Sequence, residues 1–345
     1  MEGNAAVLCG LGAWVPPRVV SNKELTTALD TSDEWIRSRT GIEQRYLVDK
    51  GMATSDLAVE AGKRAIESAG SPPIGAVVLA TTSPDRLCPG TAPEVATRLG
   101  LVDVPAFDIA AACGGFMYGL TVASSLVSTG LSGHILLIGA EAFSTMVNPQ
   151  DRSTAVLFGD GAGAVVLRGG EPGEPGEIGP FDLGSDGGKA DLLAVPAGGS
   201  RQRFVAATGQ GLADARPPEY FLHMDGPEIF RNAVKRMTSS SRKVLDQIGW
   251  TPDEVDALAA HQANLRIVSA VGERLGIPQE QWLTNADRVG NTLTASIPIL
   301  LAASAAKDLL RPSDRVVLTA FGAGLTWGSA AMTWPQITPR IDVIP

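Results

Sequence analysis

Three residues of different chemistry stand at the same kind of place in this 345-residue chain. Cys113 lies in PAFDIAAACGGF, where an apolar run, Pro105–Ala111, passes into a nearly charge-free helical stretch beginning about Gly114. A cysteine there meets the unpaired N–H groups and positive dipole end of a helix, which favour thiolate over thiol. Gly114 and Gly115 clear side chains from beside the sulfur and leave backbone N–H groups free to face an oxyanion. His261 ends the apolar run VDALAA and opens HQANLRIVSAVGERLGI; Asn291 precedes the apolar helix LTASIPILLAASAAKDLL. Alone, an asparagine before a helix reads as a cap and a buried cysteine as a small hydrophobe. Together, at the carboxyl ends of strands in one α/β fold, the three converge on a pocket. The chemistry that suits them is acyl transfer through a thioester, with a thiolate to accept the acyl group and neutral donors to stabilise an oxyanion.

The other candidates carry less. Cys9 and Cys88 have no such setting, His134 opens a strand at the surface, and His223 in YFLHMDG reads as structural. Three histidines without HExxH or paired spacing do not outline a metal site, and no redox cofactor is implied.

The elements that position these residues follow from patterning. Runs of small and β-branched residues recur after helical stretches: Ala76–Ala80 after Leu57–Ala69, His134–Ala140 after Phe116–Thr129, Val255–Ala260 after Phe230–Ile248. That alternation predicts parallel strands with crossover helices in an α/β architecture. The chain also resembles itself. LFGDGAGAVVL (Leu157–Leu167) is echoed by AFGAGLTWGSAAM (Ala320–Met332), and Lys63–Ser83 by Arg242–Gln262, at unequal offsets. Two copies of one unit with unequal insertions are expected: a half over 1–170 carrying the cysteine, a Gly/Pro-rich connector over 171–218 with no assigned chemistry, and a half over 219–345 carrying histidine and asparagine.

Composition closes off other classes. With 44% hydrophobic and 19% charged residues the chain is globular, and three scattered cysteines make no disulfide framework. A net charge of −9 argues against nucleic acid or an anionic membrane as main partner. No apolar stretch approaches the ~18–20 residues of a membrane span, and the amino-terminal run is acidic and Gly-broken, unlike a signal peptide. The cytoplasm is the expected location.

At this point the motifs resemble a known family, the β-ketoacyl-acyl-carrier-protein synthase III group of the thiolase superfamily. The carriers are DTSDEWIRSRTGI (Asp30–Ile42), PAFDIAAACGGF (Pro105–Phe116), DRSTAVLFGDGAGAVVL (Asp151–Leu167), HQANLRI (His261–Ile267), GNTLTAS (Gly290–Ser296) and FGAGLTWGSA (Phe321–Ala330). The resemblance implies a duplicated five-layered αβαβα thiolase-like fold, a homodimer, and acyl-CoA and malonyl-acyl carrier protein as substrates. By it, Cys113 is the nucleophile, His261 and Asn291 stabilise the oxyanion during decarboxylation, and the backbone N–H groups of Cys113 and Ala323 form an oxyanion hole. For CoA it implies Trp35 and Arg152 around the adenine, Arg39 at a phosphate, and Asn264, Gly226 and Phe230 along the pantetheine arm. Arg231, Lys235 and Arg242 fall within about 40° on one helical face and are expected to dock an acidic carrier protein.

Two departures stand out. The asparagine motif usually continues Asn-Thr-Ser-Ala-Ala-Ser, so Leu293 and Thr294 are unusual. Cys88 falls where the family closes the acyl pocket across the dimer interface, and so small a side chain suggests room for a longer, branched or aryl starter. The leading expectation is a condensing enzyme priming fatty-acid or polyketide synthesis. The alternative is an acyltransferase delivering an acyl or aryl group to a carrier protein or small molecule without decarboxylation. A thiolytic thiolase is disfavoured because no cysteine follows Cys113.

Overall fold

The computed structural model describes residues 5–202 and 218–342. Two sheets form its frame. The first contains β1 (Ala5–Trp14), β2 (Ala76–Ala80), β3 (Ala106–Ile109), β4 (His134–Glu141) and β5 (Gly161–Gly170). The second contains β6 (Ile178–Ser185), β7 (Ala257–Ala260), β8 (Arg315–Gly322) and β9 (Thr326–Thr333), and a last short strand, β10 (Arg340–Ile341), returns to the first. The orders are β10-β1-β5-β4-β2-β3 and β6-β9-β8-β7. Setting β1 against β6, β5 against β9, β4 against β8 and β2 against β7 makes the repeat visible. A single parallel bridge, Leu258 to Trp282, stands where the first sheet has β3.

The strands expected to be parallel are so, but both sheets are mixed, because each also holds an antiparallel strand for which no direction was expected. β2 runs parallel to β3 and β4, and β7 parallel to β8, but β5 is antiparallel to β1 and β4, and β9 antiparallel to β8 and β6. The reason for the β8–β9 pairing is the length of the FGAG link, which leaves room only for an antiparallel return. In the first half, residues 142–160 separate β4 from β5, an insertion that accounts for the unequal offsets of the sequence repeat.

Helices complete the layers. α1 (Asp33–Thr40) lies apart near the amino end, while α2 (Thr54–Ser68) and α3 (Ala92–Arg98) cover the outer face of the first sheet. α2 turns Leu57, Ala58, Ala61 and Ala65 inward, the spacing of one buried stripe. α4 (Gly115–Ser128) and α7 (Ser296–Ala306) lie between the sheets; α5 (Gly226–Ile248) and α6 (Leu265–Leu275) cover the second sheet. α7 is apolar on all sides and buried from Ser296 to Ser304, as a helix walled in by two sheets must be. Three apolar cores fill the gaps: between the sheets, under α2 and α3, and under α5 and α6. The result is the expected αβαβα sandwich.

The expected boundaries do not follow the sheets. Ile178–Ser185, inside the span read as connector, is an edge strand of the second sheet, and Arg340–Ile341 pairs with Gly12–Ala13 of the first. Residues 203–217 of that connector lie outside the described residues. Among the described residues no helix is long and apolar enough to cross a membrane.

Candidate active site

Cys113 sits in a 3-10 turn, Ala112–Gly114, that leads directly into α4. The turn is pressed against the end of β8. A Cβ on Gly322 would lie 2.6 Å from the Cys113 backbone nitrogen, so only glycine lets the FGAG turn approach Cys113 this closely. Thr326 Oγ1 lies 2.8 Å from the Ala111 carbonyl and fastens the same turn from β9. His261 follows β7 directly, its N–H donating to the Thr319 carbonyl at 2.8 Å. Asn291 is held by its backbone, donating to Leu157 O and accepting from Gly159 N–H, each at 2.9 Å.

All three line one cavity of about 340 Å³. Ala323 lines it too, as do Gly226, Phe230 and Asn264. Phe143, Met146, Phe158, Leu222 and Leu293 form an apolar part of its wall beside Cys113, with Phe143 and Phe158 tilted together at 5.0 Å between centroids. Leu193, Ala194 and Val195 add to the wall, so the segment to which the sequence assigned no chemistry does shape the pocket.

The electrostatics set resting states. Burial, with the nearby Glu141 carboxyl second, pushes the Cys113 thiol well above its ordinary range. The expectation of a resting thiolate is therefore corrected: the helix terminus and backbone N–H act against a larger desolvation cost. Burial likewise lowers His261 to about 3, leaving it neutral at pH 7. Its Nδ1 lies 2.6 Å from Ser296 Oγ, and that oxygen also accepts the Gln262 N–H at 3.4 Å. Among the described residues the hydroxyl has no other acceptor, so its proton goes to Nδ1. The ring hydrogen then resides on Nε2, which is left to donate. The Asn291 amide oxygen accepts the Leu293 N–H at 3.0 Å, which leaves the Nδ2 hydrogens as the donor side. The pocket thus combines one sulfur with two neutral donors.

The remaining expected residues divide. Asn264 caps α6, its Oδ1 accepting the Ile267 N–H at 3.1 Å, and only its Nδ2 is left for a ligand. Phe230 carries the Arg266 guanidinium over its ring at 5.6 Å. Trp35, Arg39 and Arg152 do not line the cavity. Trp35 lies 5.0 Å below the Arg152 guanidinium, and Arg152 also donates to the Asp30 carbonyl at 2.7 Å, so a ring inserted between the two must release that bond. Arg39 is exposed on α1. Cys88 is exposed and does not line the cavity of its own chain. Arg231, Lys235 and Arg242 are exposed on α5; Arg231 pairs with Glu228, and Arg242 donates to the Arg274 carbonyl. Ser296, Glu141, Thr82 and Arg266 were not singled out by sequence reasoning. Ser296 closes the GNTLTAS motif, and Glu141 is the one acid ending the apolar run HILLIGAE, so a signal existed for both.

A thiolase-type sandwich with these three residues at its pocket defines an acyl-transferring condensing enzyme. The comparisons narrow the class. Residues 107–187 match the family model for 3-oxoacyl-[acyl-carrier-protein] synthase III, and residues 245–334 match the model of its C-terminal part. The chain is 55% identical over 337 residues to β-ketoacyl-[acyl-carrier-protein] synthase III 3 of Streptomyces coelicolor, covering 97% of this chain and 99% of that protein. The crystal structure of 3-oxoacyl-(acyl carrier protein) synthase III from Pseudomonas aeruginosa superposes with a TM-score of 0.89 at 48% identity, over 97% of this chain and 100% of that one. The priming β-ketosynthase of the R1128 polyketide pathway gives 0.85 at 32% identity, over 97% of each chain. This chain belongs to the 3-oxoacyl-[acyl-carrier-protein] synthase III family.

Proposed function

We propose that the protein primes fatty-acid or polyketide synthesis by condensing an acyl group from acyl-CoA with malonyl-acyl carrier protein, and that Cys113, His261 and Asn291 do the chemistry. The observation that carries this reading is the meeting of one cysteine and two neutral donors in a single apolar cavity. The Cys113 sulfur adds to the acyl-CoA carbonyl while the N–H groups of Cys113 and Ala323 receive the oxyanion. CoA leaves with the thiol's proton, and the acyl group stays on sulfur. Malonyl thioester then loses carbon dioxide, and His261 Nε2–H and Asn291 Nδ2–H receive the enolate oxygen. The enolate carbon attacks the acyl-cysteine, and the Cys113 thiolate departs. The scheme calls on no metal or organic cofactor.

The CoA contacts of Trp35, Arg39, Arg152, Gly226, Phe230 and Asn264 belong to the same proposal, as does docking of an acidic carrier protein on Arg231, Lys235 and Arg242. So do a homodimer in which Cys88 closes the partner's acyl pocket, and a cytoplasmic setting. Intact-protein mass spectrometry after exposure to a panel of acyl- and aroyl-CoAs, followed by malonyl-carrier protein, tests the reading. Added mass on Cys113 that leaves as a β-ketoacyl product with carbon dioxide supports it. Release only onto an unmalonylated carrier or a small nucleophile makes the protein a plain acyltransferase.

A further inference from the structure

Thr294 holds, in the second half, the place that Cys113 holds in the first. Ala112 at φ +45° opens the turn 112–114 into α4, and Leu293 at φ +47° opens the turn 293–295 into α7. Both are non-glycine residues in the left-handed region, a costly conformation kept only where surroundings impose it. Cys113 and Thr294 are each the next residue.

Thr294 does not face the cavity. It is buried, with its hydroxyl 3.1 Å from the Ala80 carbonyl at the end of β2 and 3.0 Å from Glu141 Oε1 at the end of β4. Its methyl lies against the start of α4, since a Cβ on Gly115 would come within 3.0 Å of Cγ2. Its carbonyl sits over Gly139, where a Cβ would be 2.4 Å away. Glu141 is fully buried and, among the described residues, has no cation partner. It accepts the Thr82 N–H at 3.0 Å, the Ser83 N–H at 3.1 Å and the Ser83 hydroxyl at 2.7 Å. Ser83 Oγ itself accepts the Ala142 N–H at 3.0 Å. Thr82 is a cavity residue. One buried carboxyl group therefore joins the ends of two first-half strands to the turn that carries Asn291.

We infer that Thr294 is a positioning residue, tethering the Asn291–Ala295 turn to the first half through Glu141 and Ala80 so that the Asn291 amide stays aimed beside Cys113. The inference rests on the reading of Asn291 as an oxyanion donor. Asn291 Oδ1 is oriented by the Leu293 N–H, and Leu293 is joined directly to Thr294. Without the hydroxyl the turn loses its fastening and the Nδ2 donors lose their aim. Cys113 has a fastening of its own, from Thr326 and the Gly322 contact, and Thr294→Val keeps the methyl that packs beside Gly115. The two half-reactions should therefore respond unequally.

The test uses the full chain and its Thr294→Val and Thr294→Ser variants. Acylation of Cys113 is followed by mass, and decarboxylation of malonyl-CoA is followed separately, with thermal melting alongside. In Thr294→Val the ratio of decarboxylation to acylation should fall about tenfold or more, the scale set by misplacing one catalytic group. Thr294→Ser, which keeps the hydroxyl, should restore most of it. A ratio unchanged in Thr294→Val, or both rates falling together in step with the melting temperature, overturns the tether alone. If Asn291→Ala leaves decarboxylation intact, the reading of the site fails and takes the tether with it.

Discussion

The two halves place matching turns at the starts of their central helices and use them for opposite ends. In the first, Cys113 opens onto a cavity; in the second, Thr294 is sealed in with its hydroxyl against the Ala80 carbonyl and the Glu141 carboxyl. The support is reciprocal as well. The cysteine turn rests on Gly322 at the end of the second sheet, and the threonine turn rests on Gly139 near the end of the first. In the proposed function, chemistry falls to one of two equivalent junctions and rigidity to the other. The proposed donors His261 and Asn291 come from the rigid side. The proposed nucleophile would then be faced by a wall whose own strain is held down elsewhere, which is what an oriented pair of donors requires.

Variants can break this division of labour. Cys113→Ala should show no added acyl mass and lose at least about a thousandfold in condensing turnover, while malonyl decarboxylation, the task of the other half, persists. Loss of both together would mean that the halves do not divide the steps. Asn291→Ala is the converse, with decarboxylation down about a hundredfold or more and acylation of Cys113 much less affected in the same mass assay.

Titration separates the halves. The raised thiol means that acylation should climb with pH, by up to about tenfold per unit from pH 6 to 9, without levelling near the ordinary thiol value of ~8.5. His261, neutral above about 3, should add no change of its own to decarboxylation from pH 6 to 8; burial raises Glu141, bonded to the Asn291 turn, to about 7, so an inflection in that window belongs to Glu141. Stability follows the same group with the opposite consequence. A histidine whose folded value is depressed from 6.5 to about 3 binds fewer protons folded than unfolded within that window, so stability falls as pH drops from 6.5 towards 3. Denaturant melts of His261→Asn should show a shallower acid limb. The smallest effect sharpens the symmetry. Gly322→Ala and Gly139→Ala each force a Cβ into backbone at 2.6 and 2.4 Å, and each should cost about 1–3 kcal/mol in denaturant melts. Unequal costs would show which turn bears more of the strain.

Much of this was legible in one dimension because strand-to-helix junctions have sequence signatures. The apolar run, small residues and helix start around Cys113, and the same sequence of features at His261 and Asn291, picked out three residues that the fold brings to one cavity. The repeat of Phe158 and Phe321 with their glycines disclosed the duplication. Strand direction was hidden, since patterning reports burial and not which neighbour a strand pairs with, and β5 and β9 went unrecognised as antiparallel. The resting state of Cys113 was hidden for a similar reason: a helix terminus is local, whereas the desolvation that opposes it comes from Phe143, Phe158 and Leu293, far apart in the chain. Glu141 was visible only as one acid at the end of an apolar strand. Its partners Thr82, Ser83 and Thr294 come from two other segments, and nothing in their spacing unites them.

The short strand Arg340–Ile341, laid beside Gly12–Ala13, has a consequence for how the chain is made. During synthesis the first sheet emerges early but must wait for residues 340–341 before its edge beside β1 is covered. Until then that edge is an open row of backbone donors and acceptors, a place where nascent chains can pair wrongly. Arg340–Ile341 act as a latch on Gly12–Ala13. Trimming them should therefore show up as aggregation during expression sooner than as a loss of catalytic rate.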